Sequence, residues 1–275
     1  MKVAEPRSRR TFLAQLGKGT GALVLFSLAA CVPATSSSSR SSQTAAPPPD
    51  PTDVSLDPVD GSLDPIESDP GDQDVATPVA EGAVRWNRVN LGFVSAYILV
   101  RGGEAAVVDT GVAGSEDDIE NALTAIGLEW DAVGHVILTH RHPDHAGSVA
   151  AVLDRARAAT GYAGAEDLPS ITVPRELRVA ADGDDVFGLR IVTTPGHTKG
   201  HISVLDPIGG VLVAGDALNT ANGAATGPNP DFSEDMQAAN ASVAKLAKLH
   251  FETLLVGHGD PVEGGAQASV AALVS

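Results

Sequence analysis

The chain has 275 residues, 18 Lys and Arg against 35 Asp and Glu, and 43% hydrophobic side chains, enough for one sizeable core. One cysteine excludes an intramolecular disulfide and a Cys-rich zinc or iron–sulfur site, so any metal must be held by His and carboxylate. The net charge of -17, with no Lys/Arg-rich run after residue 85, excludes the clustered cations that a nucleic-acid partner draws on.

The charge changes sign along the chain. Residues 1–40 hold six of the 18 basic side chains, residues 41–84 hold acids and no base, and the remainder is again mixed. Arg9-Arg10-Thr11-Phe12-Leu13 precedes an uncharged apolar run, Gly21–Ala30, too short to span a bilayer as a mature helix. This arrangement over residues 1–30 resembles a twin-arginine export signal. Its end, Leu28-Ala29-Ala30-Cys31, resembles the lipobox of bacterial lipoproteins, in which the cysteine is lipidated and becomes the first residue. The expectation is an exported protein anchored through Cys31 to the outer face of the cytoplasmic membrane, each buried acyl methylene contributing about 0.8 kcal/mol. Residues 31–80 are rich in Ser, Pro and Asp, including Ser36–Ser39 and Pro47–Pro49. They have too few large apolar side chains to offset chain entropy and read as a disordered, acidic tether.

One folded domain is expected over 81–275. Ala96–Val100 and Glu104–Asp109 flank Gly102-Gly103 as paired strands. Ser115 is placed to cap a helix with Glu116, Asp117 and Asp118 in its first turn, Ile119, Ala122, Leu123 and Ile126 on one face, and Gly127 as its stop. A strand over His135–Thr139 leads into a helix from Asp144 that turns Ala146, Val149, Ala150 and Leu153 inward. Leu189–Thr193, His201–Leu205 and Val211–Ala214 read as strands, and the Gly/Asn/Pro-rich stretch Leu218–Pro230 as a loop bordering a pocket. A helix from about Ser233, with Met236, Ala239, Val243 and Leu246 on one face, precedes a buried strand at Thr253–Val256.

All eight histidines lie between positions 135 and 258. Thr139-His140-Arg141-His142-Pro143-Asp144-His145 sits between an apolar strand and a helix, where a rigid scaffold presents side chains from a loop. Alternation allows His140 and His142 to face one ion, while Asp144 and His145 reach a second. Three further pieces also follow apolar strands: Thr194-Pro195-Gly196-His197, Ala214-Gly215-Asp216 and Gly257-His258-Gly259-Asp260.

These pieces, with Asp109 in Val107-Val108-Asp109-Thr110-Gly111, resemble the metallo-β-lactamase superfamily of metallohydrolases over about 190 residues. The resemblance implies an α/β (α+β) fold, an αββα sandwich with the metals at one edge of its two sheets. It implies His140, His142 and His197 on one ion, Asp144, His145 and His258 on the other, and Asp216 bridging both. Two divalent ions are expected, zinc first, with iron or manganese as alternatives, and a metal-bridged hydroxide attacking an ester, thioester or lactone carbonyl. Asp144 would orient the water and receive its proton. Asp109 is read either as fixing a ligand imidazole or as a turn-forming Asp. His201, His135 and His250 are read as non-ligands, and Arg141 as pointing away from the ligands beside it.

A bridging Asp216 resembles the glyoxalase II and lactonase branches more than the β-lactamases. Glyoxalase II itself fits poorly, since about 15 residues follow Asp260 and leave no room for its helical domain. The alternatives are a β-lactam hydrolase, a mononuclear iron dioxygenase of persulfides, and a non-catalytic binding module stabilised by metal. The expected partners are a small-molecule substrate and, through Cys31, the membrane. The oligomeric state is not legible.

Overall fold

The strand Ser95–Arg101 is buried along almost its whole length, and a strand apolar on both faces needs cover on both sides. The computed structural model, which describes residues 80–275, supplies that cover from four layers. In chain order the strands are β1 (Arg85–Asn90), β2 (Ser95–Arg101), β3 (Glu104–Val108), β4 (Val133–Ile137), β5 (Thr160–Ala163), β6 (Arg178–Val179), β7 (Asp185–Val186), β8 (Leu189–Thr193), β9 (Ile202–Asp206), β10 (Val211–Gly215), β11 (Asn219–Ala221), β12 (Ala224–Thr226), β13 (Thr253–Val256) and β14 (Val262–Glu263). The helices are α1 (Glu116–Ala125), α2 (Pro143–Ala146), α3 (Val149–Arg155), α4 (Met236–Leu246) and α5 (Ala266–Ala271). One sheet runs β1-β2-β3-β4-β5-β6, the other β14-β13-β10-β9-β8-β7, and β11 with β12 forms a separate hairpin. The signal, Cys31 and tether expected from the sequence lie outside the described residues, among which no helix is long and apolar enough to cross a membrane.

Alternation along the strands sorts their side chains into three cores. Ala96, Ile98 and Val100 of β2 pack with Ile119 and Leu123 of α1 and Val152 and Leu153 of α3. Tyr97 and Leu99 turn the other way and meet Ile191, Ile202, Val204 and Val213 of the second sheet. Leu212 and Ala214 of β10, with Leu254 and Val256 of β13, face Val243 and Leu246 of α4 and Val270 of α5. Burying each large side chain of this kind contributes about 1.5–3 kcal/mol. The outcome is the αββα sandwich.

Local departures from the sequence reading have identifiable causes. The expected β4 ends two residues early: Thr139 leaves the ladder because its N–H donates to the Asp109 carboxylate at 2.7 Å. Ser115 stands at the N-cap position of α1, but its side chain makes no capping hydrogen bond. Its backbone is already helical, and its N–H donates to Ser148 Oγ at 2.9 Å. The helix expected from Asp144 is two, α2 and α3, broken at Gly147. There the N–H donates to Gly111 O at 2.9 Å instead of continuing the helix, and a Cβ would overlap the Pro143 carbonyl and the 112–113 backbone. The short strands β5, β6, β7 and β14 carry no period long enough to be read, and their partners decide them.

Candidate metal centre

The chemistry-bearing residues follow the ends of β3, β4, β8, β10 and β13, and the two sheets are joined at that edge. Ile202 N–H donates to Thr139 O at 2.8 Å, and Ser95 N–H to Gly257 O at 3.0 Å. This brings residues distant in sequence into three groups whose ligand-type atoms lie within 4.8 Å of one another: His140, His142 and His197; His140, His145 and Asp216; Asp144, His145 and His258. His142 Nδ1 lies 3.1 Å from His140 Nε2 and 2.9 Å from His197 Nε2. Asp216 spans the groups, with Oδ1 3.3 Å from His145 Nε2 and Oδ2 3.2 Å from His258 Nε2 and 3.4 Å from His197 Nε2.

The outward-facing nitrogens explain why the inner ones converge. His258 Nδ1 donates to Phe93 O at 2.7 Å, and His145 Nδ1 to Asp109 Oδ2 at 2.8 Å. His140 Nδ1 meets Thr139 Oγ1 at 3.0 Å, and that hydroxyl donates to the Asp109 carboxylate at 2.8 Å. Asp109 thus orients one imidazole directly and a second through Thr139. It also holds a left-handed backbone, with φ 63, which a short polar side chain tolerates, but its carboxylate bonds Thr139 and His145 and not the backbone that follows it, so the turn-forming reading does not describe it. These partners fix which nitrogen of His140, His145 and His258 faces inward as the potential ligand atom. Replacing Asp109 by Asn, which presents an amide N–H where the imidazole needs an acceptor, is expected to weaken metal binding about 10–100-fold in a chelating-dye competition. An unchanged affinity would remove Asp109 from this role.

The donor set suits cations. Convergent imidazole lone pairs about 3 Å apart repel unless something positive lies between them, and His145 Nε2 and Asp216 Oδ1 are buried without a hydrogen-bond partner despite facing each other. Burial pushes His140 well below the ordinary imidazole value and His197 down to about 4. Burial also works against charge on His145, but the Asp109 and Asp216 carboxylates outweigh it and push the ring up to about 10. Hydrogen bonding to Asp144 and Asp216 does the same for His258, also to about 10. The His258 contact in turn holds Asp144 below the usual carboxylate range. For Asp216, burial favours the neutral acid, but His145 and His258 override it and hold it well below that range.

His201 is fully buried outside the groups. Its Nε2 accepts the Asp216 N–H at 3.1 Å and its Nδ1 pairs with Thr194 Oγ1 at 2.8 Å, so it fixes the backbone that carries Asp216. Burial pushes it down to about 3. Arg141 turns away from the histidines to Glu234 and Asp167. His135 packs against Tyr162 and Phe187, and His250 is exposed. Three contributors escaped the sequence reading. Thr139 is one. Asp167 is another: it accepts from Arg141 N, Thr198 Oγ1 and Gly200 N and ties two site loops together. The third is Phe93, whose only signal is an apolar residue at a turn tip. The groups open into a cleft of about 570 Å3, lined by His142, Asp144, His197, Asp216 and His258 among others.

Fold and site together define a class: residues 89–258 match the sequence model of the metallo-beta-lactamase superfamily, and the chain belongs to that family. Among its relatives, Probable metallo-hydrolase YflN of Bacillus subtilis (strain 168) is 30% identical over 58% of this chain and 76% of that protein. A hydroxyacylglutathione hydrolase of Alkalilimnicola ehrlichii is 38% identical over 53% of this chain, which spans only 52% of that relative. Among solved structures, TTHA1623 in a di-iron-bound form is 26% identical, with a TM-score of 0.54 over 64% of this chain and 93% of that one.

Proposed function

We propose that the domain is a metal-dependent hydrolase holding two divalent ions, one on His140, His142 and His197 and one on Asp144, His145 and His258, with Asp216 shared, and that it cleaves an ester, thioester or lactone. The observation that carries this reading is Asp216, whose two carboxylate oxygens face histidines of both groups and which lines an accessible cleft. Ions at these positions would supply an acidified water and positive charge for an oxyanion. The chain's own residues do the rest. Asp144, ionised at neutral pH and partly open to the cleft, is the carboxylate placed to accept a proton at Oδ2, where His258 Nε2 lies 3.4 Å away. Asp109 orients His145, and His201 holds the backbone that carries Asp216, so both are positioned before substrate arrives. The names of the Bacillus and Alkalilimnicola relatives support hydrolysis and the acyl class. The di-iron relative keeps iron beside zinc as the physiological metal.

The test is metal content and hydrolysis by the protein purified without chelator under air-free conditions. Near two ions per chain, and ester or thioester hydrolysis lost on chelation and restored by zinc, is the expected result. A single iron with oxygen uptake on persulfides would replace the hydrolase by a dioxygenase. We also propose, from residues 1–80, that the domain works outside the cytoplasmic membrane on a tether lipidated at Cys31. Cys31→Ser is expected to move it from the membrane to the soluble fraction, and retention in the membrane rejects the anchor.

A further inference from the structure

Two phenylalanines flank the cleft and are largely exposed, Phe93 at 64% and Phe232 at 67%. The chain has six phenylalanines, so leaving two in water beside the same opening requires a reason. Both sit in one local sequence pattern, Asn90-Leu91-Gly92-Phe93 and Asn229-Pro230-Asp231-Phe232. In each, the Asn Oδ1 accepts the backbone N–H two residues on, at 3.0 Å, a turn that fixes the aromatic residue at the tip. Phe93 also lies nearly parallel to His258, with an interplanar angle of 14° and centroids 6.3 Å apart. Pro143 adds apolar surface, and the polar side chains other than the metal-binding set are the amides Asn219 and Asn229.

No Lys or Arg lines the cleft. The nearby guanidiniums are engaged elsewhere: Arg88 with Asp260 and the Gly259 carbonyl, Arg141 with Glu234. The surrounding chain is acidic, which repels anions at a distance. A substrate carrying a carboxylate or phosphate remote from its reacting carbonyl would therefore find no protein cation to pair with.

We infer that the cleft is built for an uncharged carbonyl compound with apolar groups, gripped between Phe93 and Phe232, and discriminates against substrates with a remote anionic group. This rests on the hydrolase reading for the chemistry, while the apolar grip stands on the lining alone. Binding and turnover are therefore tested separately on the metal-loaded protein. Calorimetric titration uses hexananilide, an amide too inert to turn over, and its ω-carboxylate analogue, adipic acid monoanilide. The neutral anilide should bind at least about tenfold more tightly, and Phe93→Ala with Phe232→Ala should erase most of that difference. In parallel, kcat/KM for p-nitrophenyl esters should rise about tenfold or more from acetate to hexanoate, and that slope should flatten in the same double variant. Equal or tighter binding of the carboxylate, or a preference indifferent to both phenylalanines, overturns the inference. Neutral-selective binding without ester hydrolysis would sink the hydrolase reading and leave the cleft assignment standing.

Discussion

Asp216→Ala is expected to lower kcat/KM by about a thousandfold or more, equivalent to about 4 kcal/mol of lost transition-state stabilisation, while leaving the fold intact. Its carboxylate faces histidines from both halves of the site, so under the proposed two-ion reading its removal takes charge from both ions at once. Metal content should fall from near two ions per chain towards one or none, followed by elemental analysis after gel filtration. Strand β10 keeps its core without that side chain, because Val211, Leu212, Val213 and Ala214 carry the packing. Far-UV circular dichroism should therefore match the parent. Asp216→Asn retains the shape and removes the charge, so it should lose most of the activity too. A folded Asp216→Ala with unchanged activity would rule out a shared-carboxylate mechanism.

Metal loading should be steeply pH-dependent for one ion and nearly flat for the other. Without metal, His145 and His258 hold their protons up to about pH 10, whereas His197 is pushed down to about 4 and His140 well below its ordinary value. Ligand imidazoles must be neutral to bind. The group of His140, His142 and His197 therefore binds without proton release above neutral pH, and the group of Asp144, His145 and His258 releases one proton from each histidine. Affinity for the second ion should rise about a hundredfold per pH unit between roughly 7 and 9. Calorimetry in buffers of different protonation enthalpy measures the released protons, and zero release for both ions would refute the assignment. The same shifts act on the metal-free fold. His145 and His258 both have raised values, so their stabilising contribution is present below the ordinary imidazole value near 6.5 and is lost as pH climbs towards 10. In chelator, the melting temperature should fall across that window, and metal should flatten the fall.

The candidate site was legible because it concentrates residue types that a structural core seldom collects. His-x-His-x-Asp-His at 140–145, His197, Asp216 and His258 each follow a strand readable as an apolar run. What the residues of such a strand do after the ladder ends depends on neighbours from elsewhere. Thr139 and Asp167 act by holding loops far away in sequence, and neither has a local pattern. Phe93 has no local signal beyond an apolar side chain after Gly92, and its carbonyl gains a role only through His258, 165 positions away.

The sequence by itself determined the two-faced strands, the helices carrying Leu123 and Val243, and the His and Asp side chains available as candidate donors, because these depend on periodicity and residue chemistry near each position. Only the tertiary structure decided which side chains share a space. The break at Gly147 arises where loop 111–113 crosses the helix too closely for a Cβ. The double duty of Asp109 arises because β3 and β4 end side by side, presenting Thr139 and His145 to one carboxylate. The shared position of Asp216 arises because the parallel pairing of β10 with β13 delivers His258 to the same edge. Each is a close approach between segments distant in the chain, and such distances are set by packing across the layers.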